Sequence, residues 1–242
     1  MLLHFYGTKG YVEEESPAHR GHSGFVIESS GFRLLCDFGQ NRKGLLEKIA
    51  PDAIFVSHAH PDHAWGLEEG TELPVYASAI THELTRDFSV RRRIVLEPGK
   101  SEKVGPWRLT GHPAVHSVRC PCVAARVETP EGVFVYSGDI VSFERPAEAL
   151  AGARLYIGDG STLTGSLVRR HPSGALIGHT TVRAQLGWLA RESVPRAIFS
   201  HFGKGPIEMG ESALAEKLAE LTAAKAPECE VSAAKDGLRI EV

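Results

Sequence analysis

The chain has 242 residues, 42% of them hydrophobic and 24% charged, and its 27 basic residues are outnumbered by 30 acidic ones for a formal net charge of −3. That balance excludes the basic coat of a dedicated duplex binder, and no apolar run approaches the ~20 residues needed to cross a bilayer. Met1–Tyr6 lacks the basic start and long apolar core of a secretory signal, so a cytoplasmic protein without membrane contact is expected, folded as one domain over residues 1–242. Cys36, Cys120, Cys122 and Cys229 form no CxxC pair and read as reduced thiols, whereas 12 histidines are an unusual count for a residue that serves as metal ligand, acid or base.

Short apolar runs open the chain: Leu2–Tyr6, Gly24–Glu28 and Phe32–Phe38, with Ser29-Ser30-Gly31 as the hairpin between the last two. The Gly-, Pro- and charge-rich stretch Thr8–His22 is long for a connection in a compact domain and is expected to border a pocket, with Arg20 and His22 at its entrance. Gly44–Ala50 reads as a short helix stopped before Pro51. Ala53–Ser57 is an unbroken apolar run of the kind that fills a strand covered on both faces. Ser78–Phe88 reads as a helix, and Arg91–Leu96, Trp107–His112, Val118–Val127 and Val133–Ser137 as strands between Pro and Gly breaks. Arg154–Gly158 and Ala197–Ser200 repeat the buried-strand pattern, Val182–Arg191 and Ser212–Ala224 have helical apolar spacing, and Leu238–Val242 closes the chain as a strand. Two sheets flanked by helices fit this order. Trp65 is most simply a core residue, and Cys120 and Cys122 are read as small thiols buried on a strand.

His58-Ala-His60-Pro-Asp62-His63 follows the Ala53–Ser57 run directly, so three imidazoles and a carboxylate leave one strand end in a tight turn. Alternate residues of an extended segment point the same way, so His58 and His60 can share one cation while Asp62 and His63 turn toward a second. Two cations need more donors, and three candidates follow other apolar runs: His116, Asp139 in Ser137-Gly-Asp139, and His201 in Ser200-His201-Phe202. A carboxylate can bridge with its two oxygens, which suits Asp139. His112 competes with His116, which is preferred because it lies beyond its strand.

These residues together, His58-x-His60-x-Asp62-His63, a later histidine, Ser-Gly-Asp and Ser-His-Phe, resemble the metallo-β-lactamase superfamily across residues 24 to 203. The resemblance implies an α/β fold, an αββα sandwich of two mixed β-sheets flanked by helices, with a dinuclear site along one edge. It implies one metal on His58, His60 and His116, a second on Asp62, His63 and His201, a bridging Asp139, and hydrolysis by a hydroxide held between two divalent ions, with zinc the first choice and manganese or iron also compatible.

Within Gly158-Asp159-Gly160-Ser161 and Gly178-His179-Thr180-Thr181, Asp159 can orient His179 and keep it protonated beside a helix whose N-terminus favours an anion, with Thr180 or Thr181 as its cap. This half resembles the phosphodiesterase branch of the superfamily, which includes ribonuclease Z and small cyclic-phosphate diesterases, with Asp159 where ribonuclease Z has a longer glutamate. Asp62, Asp159 and His179 are thus the candidate catalytic residues, Asp62 also counting as a ligand. No long basic insertion stands between Asp139 and His201, and Arg91-Arg92-Arg93 and Arg169-Arg170 read as solvated faces. A small anionic phosphodiester, cyclic forms included, is therefore preferred over structured RNA as partner. A thioester or lactone hydrolase, ribonuclease Z-like RNA processing and a non-catalytic metal binder are the alternatives, and a homodimer is compatible with all of them. Lys204 is either a substrate contact or a surface lysine.

Overall fold

The structure, a computed structural model, describes residues 1–242. Its first strand, β1 (Leu2–Gly7), buries Leu3, Phe5 and Gly7 and turns the residues between them outward, the period of two expected of a sheet with one core face. β2 (Gly24–Ser29) and β3 (Phe32–Cys36) form the anticipated hairpin. Its turn residues Ser30 and Gly31 have φ of 52° and 73°, the left-handed pair that matches the twist of the strands they join.

The chain continues through α1 (Leu46–Ile49), β4 (Ala53–Phe55), α2 (Pro61–Ala64), β5 (Thr71–Ala77), α3 (Ala79–Leu84) and β6 (Val90–Val95). Then come β7 (Ser101–Val104), β8 (Trp107–Val115), β9 (Cys122–Thr129), β10 (Gly132–Tyr136), β11 (Ser142–Phe143), α4 (Pro146–Leu150) and β12 (Ala153–Asp159). The last part holds the small hairpin β13 (Arg169–Arg170) and β14 (Leu176–Ile177), α5 (Val182–Arg191), β15 (Arg196–Ser200), α6 (Lys204–Met209), α7 (Glu211–Lys225), β16 (Glu230–Ala233) and β17 (Arg239–Glu241).

Two mixed sheets result, ordered β17-β1-β2-β3-β4-β5-β6 and β11-β8-β9-β10-β12-β15-β16, with β7 paired to β8. Between them lies an apolar layer contributed by both, including Phe5, Phe25, Phe55, Trp107, Tyr136 and Leu155. Leu186 and Leu189 of α5 and Leu214, Leu218 and Leu221 of α7 form the stripes that seal the outer face of the second sheet. Ile49 and Leu67 cover the first with Val26, Leu35 and Ile54. The layers are those of the αββα sandwich.

Several boundaries differ from the sequence reading. The Ser78–Phe88 helix is confined to α3, because the Arg93 guanidinium takes the carbonyls of His82, Thr85 and Phe88 and folds the chain back after one and a half turns. β8 runs on past His112 to Val115, and β9 starts only at Cys122, so Cys120 lies half-buried outside any strand while Cys122 is buried at its start. Trp65 is not core: it is 39% exposed, with its indole N–H on the Ala59 carbonyl and its ring edge-on to Phe88. An indole needs a partner for its N–H, and the turn carbonyl supplies it at the surface. The strands β7 and β16 and the hairpin β13–β14 go beyond the sequence reading because they are short or poor in apolar residues, and β5 because Pro74 interrupts it where its pairing with β6 shifts register.

Candidate metal centre

The strand ends deliver the donors. Behind β4, Ser57 and His58 are fully buried, and α2 begins with His60 extended at φ −63° and Pro61 at its first position, which turns Asp62 and His63 back under the loop. His116 stands one residue beyond β8, Asp139 three beyond β10, and His201 one beyond β15 in a left-handed conformation, φ 57°. The seven residues expected as ligands are all brought together. Atoms of His58, His60, His116 and Asp139 lie within 4.8 Å of one another, and so do those of Asp62, His63 and His201. Asp139 spans the two sets: its Oδ2 is 3.6 Å from His58 Nε2 and 3.5 Å from His116 Nε2, its Oδ1 3.1 Å from His63 Nε2 and 3.3 Å from His201 Nε2. His112, inside β8, takes no part.

Hydrogen bonds behind the ligands fix which nitrogen each presents. His63 Nδ1 donates to Asp37 Oδ2 at 2.7 Å and His116 Nδ1 to the Gly178 carbonyl at 3.0 Å. Ser57 Oγ gives its proton to Asp37 at 2.7 Å and so accepts from His58 Nδ1 at 3.0 Å. Ser161 Oγ likewise donates to Asp159 Oδ1 at 2.6 Å and accepts from His201 Nδ1 at 2.9 Å. Four imidazoles therefore turn Nε2 inward, and His60 turns Nδ1, 2.9 Å from His58 Nε2 and 3.2 Å from His116 Nε2. His63 Nε2 and Asp139 Oδ1 are buried with no hydrogen-bond partner. Converging imidazole lone pairs, an orphaned nitrogen and the buried carboxylates Asp62, Asp139 and Asp159 are costly unless positive charge sits among them. The donor set fits divalent cations.

Electrostatics of the protein alone lean the same way. Burial pushes His58 and His116 down and His60 down to about 4, so these imidazoles are neutral donors. Burial would lower His63 and His201 too, but Asp139, with Asp62 and Asp37 at His63 and Asp159 and Asp62 at His201, outweighs it and drives His63 well up and His201 up to about 10. The chain thus attracts positive charge to the Asp62 side most strongly.

Two residues unforeseen in the sequence organise the centre. Asp37, fully buried at φ 57°, accepts from Ser57 N, Ser57 Oγ, His63 Nδ1 and Tyr136 OH at 2.6 to 2.7 Å. Its signal was present: Leu34-Leu35-Cys36-Asp37 ends a buried run in a carboxylate, as Asp139 and Asp159 end theirs. Ser161 closes the Gly158-Asp159-Gly160-Ser161 motif, and its residue type alone does not announce the bonds it makes to Asp159 and His201.

Asp159 reaches His179, Oδ2 to Nδ1 2.8 Å, so the shorter acid suffices. Burial opposes protonation of His179, but Asp159 and Asp139 outweigh it and raise its pKa. The ring packs 5.0 Å from His116 and 5.6 Å from His201, centroid to centroid. Thr181 caps α5, accepting from Ala184 N at 3.0 Å. The expected anion site at that helix start is not available: Val182 N and Arg183 N are taken by the carbonyls of Thr162 and Leu163 at 2.9 and 3.1 Å. His179 itself, rather than the helix terminus, faces the cavity.

That cavity, about 670 Å³, is lined by His60, Asp62, His116, Asp139, His179 and His201 at its floor. The Thr8–His22 segment borders it through Gly10, Tyr11 and Val12, but Arg20 and His22 do not line it: His22 is buried with its backbone N–H on Asn41, and Arg20 points to solvent. Lys204 is at the rim, paired with Glu14 and Glu208. Of the clusters read as solvated, Arg91 pairs with Glu72 at the surface, Arg93 serves the turn after α3, and Arg169 lines the cavity.

A family model described as a β-lactamase superfamily domain matches residues 16–202. The chain belongs to the metallo-β-lactamase superfamily. It is 30% identical over 148 residues to a ribonuclease Z of Methanopyrus kandleri, a match covering 54% of this chain and 51% of that protein. It is 26% identical over 145 residues to a probable 3′,5′-cyclic-nucleotide phosphodiesterase of Yersinia pestis, covering 50% of this chain and 40% of that one. The chain thus spans about half the length or less of these curated relatives. The metallo-β-lactamase fold protein YhfI of Bacillus subtilis superposes with a TM-score of 0.78 at 19% identity, over 100% of this chain and 98% of that one, a likeness of fold.

Proposed function

We propose that this chain is a dinuclear metal-dependent phosphodiesterase acting on a small anionic phosphodiester. The observation that carries the reading is the Asp159–His179 pair, 2.8 Å apart, set beside the His/Asp cluster with the ring of His179 against those of His116 and His201. His58, His60, His116 and one oxygen of Asp139 would hold one divalent ion, and Asp62, His63, His201 and the other oxygen a second, zinc being the ion their imidazole-rich set suits best. Bound there, such ions supply a water of lowered pKa at neutral pH.

The chain's own residues complete the chemistry. With Nδ1 committed to Asp159, His179 offers Nε2 to the cavity it lines. Kept protonated by Asp159, it can stabilise charge growing on a phosphoryl oxygen and deliver a proton to the departing ester oxygen. A thioester, whose thiolate leaves readily near neutral pH, would not need that proton donor to face the centre. The relatives, a ribonuclease Z and a probable cyclic-nucleotide phosphodiesterase, support phosphodiester chemistry.

His179→Ala tests the reading. In zinc-reconstituted protein assayed on bis-p-nitrophenyl phosphate, 2′,3′-cyclic nucleotides, a thioester and a lactone, the substitution is expected to lower kcat for the cyclic nucleotides, whose departing alcohol needs a proton, by about 10²–10⁴-fold and for the nitrophenyl ester by less, with metal content unchanged. Thioester or lactone turnover with no phosphodiester turnover, or a His179→Ala enzyme of undiminished rate, would overturn it.

A further inference from the structure

The cavity floor is accounted for by the hydrolytic centre, but its two walls are not. On the His201 side the wall is the segment after β1. Gly10 packs directly on that imidazole, where a Cβ would lie 2.9 Å from Cε1, and Gly10 N donates to the Phe202 carbonyl at 3.0 Å. The next residue, Tyr11, is 65% exposed, its ring 5.8 Å from that of His22. A phenol presented to solvent from a backbone pinned to the site is a ready surface for a planar ring. Beyond Val12, Glu14 is paired with Lys204 and Glu15 with Lys9, so the lysines of this wall are already neutralised.

The His179 side is the β13–β14 hairpin, tied to the centre by Leu167 N on the His179 carbonyl at 3.2 Å and Gly178 N on the His116 carbonyl at 2.8 Å. It carries Arg169, exposed and lining the cavity opposite Ile177 in the hairpin register. Lys204, across the mouth, is held by Glu14 and Glu208, whereas the guanidinium of Arg169 has no acceptor within the chain. The walls therefore differ in kind: one aromatic with its lysines paired, one with a free guanidinium followed by Arg170. Guanidinium is the side chain that binds phosphate in two parallel hydrogen bonds.

We propose that Tyr11 and Arg169 are specificity-determining residues for a phosphodiester bearing a planar base on one ester arm and a second phosphate on the other, as in a short 5′-phosphorylated oligonucleotide. The inference rests on the phosphodiesterase reading and narrows it. The base stacks on Tyr11, where the nearby lysines are already paired with carboxylates, and the second phosphate falls to Arg169. The scissile phosphorus between them receives the hydroxyl of one water, whose proton passes to solvent, one P–O ester bond breaks, and the departing oxygen leaves as an alcohol with the proton from His179, which solvent then restores.

The test compares thymidylyl-thymidine, whose single phosphate is the scissile one, with the same dinucleotide carrying a 5′-terminal phosphate, and bis-p-nitrophenyl phosphate as a general phosphodiester. With wild-type protein kcat/KM is expected to be about tenfold higher for the 5′-phosphorylated dinucleotide, the worth of one charge-assisted contact. Arg169→Ala should collapse that ratio toward one through KM, and Arg169→Lys should restore part of it. Tyr11→Ala should raise KM for both dinucleotides, and Tyr11→Phe should retain the wild-type value, since stacking needs only the ring. Equal wild-type rates on the two dinucleotides, or a ratio untouched by Arg169→Ala, would overturn the inference. Turnover of bis-p-nitrophenyl phosphate but of neither dinucleotide would overturn the inference alone, whereas turnover of no phosphodiester would overturn the function it rests on.

Discussion

The loop from His58 to His63 and the opposite side of the centre, Asp159, His179 and His201, are built in different ways. The loop places four donors within six residues of one turn, and a single carboxylate, Asp37, steadies it from behind through Ser57 and His63. The opposite side draws on three separate strand and helix ends. There Asp159 pairs with Ser200 in the parallel register of β12 and β15, which sets His201 beside Asp159, and Ser161 ties the two together. The difference teaches that the first half of the centre depends on local backbone geometry and the second on sheet register. The two halves should therefore fail differently when their supports are removed.

The largest effect should come from stripping the metal that both halves share. At a free metal concentration about 1,000 times Kd, binding adds about 4 kcal/mol to stability. For a chain of this size each kcal/mol is worth roughly 2–4 °C, so chelation should lower the melting temperature by about 8–16 °C and abolish turnover. Zinc return should restore both. A melting temperature indifferent to chelator would mean that the donor set holds no structural ion.

Removing the two supports sharpens the contrast. Asp37→Asn keeps the volume but takes away the acceptor that orients His63 and Ser57. The substitution should weaken metal affinity about 10–100-fold, the usual consequence of losing such a partner, as read by competitive chelator titration. Ser161→Ala should leave affinity closer to wild type and lower kcat by about tenfold, because it frees the Asp159–His179 pair and His201 from one another, with Ser161→Thr recovering most of the rate. If both substitutions act on affinity alone, the two halves are one unit and the distinction falls.

The same contrast explains what the sequence made legible. The loop was readable because His58, His60, Asp62 and His63 are neighbours in the chain and follow a run apolar enough to be a covered strand. His116, Asp139, Asp159 and His201 were readable as polar residues at the ends of apolar runs, and His179 as a polar residue opening a helix. Asp37 was not, although it ends such a run, because Ser57 and His63 meet it only through the pairing of β3 with β4 and Tyr136 only once the two sheets pack face to face. The walls of the cavity were hidden for a related reason. Arg169 lies in a two-residue strand with no apolar pattern, and its position over the centre follows from backbone bonds at Leu167 and Gly178 that no residue type announces. Trp65 misled because size and hydrophobicity suggest burial, while its N–H can be satisfied at the edge of a turn.

The smallest effect should arise at Thr181, which connects the register-dependent half to α5. Its hydroxyl accepts from Ala184 N, and two residues earlier the chain sets His179 over the cavity. Thr181→Ala should cost about 1 kcal/mol of stability, the usual worth of a cap, or roughly 2–4 °C in melting temperature for a chain of this size. Val182 N and Arg183 N keep their carbonyl acceptors at Thr162 and Leu163, and Thr180 N keeps Ile140, so the backbone on both sides of the cap stays tied to the second sheet. The approach of His179 to Asp159 should survive, and kcat should fall by less than about threefold, a barrier change below about 0.7 kcal/mol. A loss of kcat as large as that of Ser161→Ala would show that the start of α5, and not the hydroxyl of Ser161, governs the geometry of the pair.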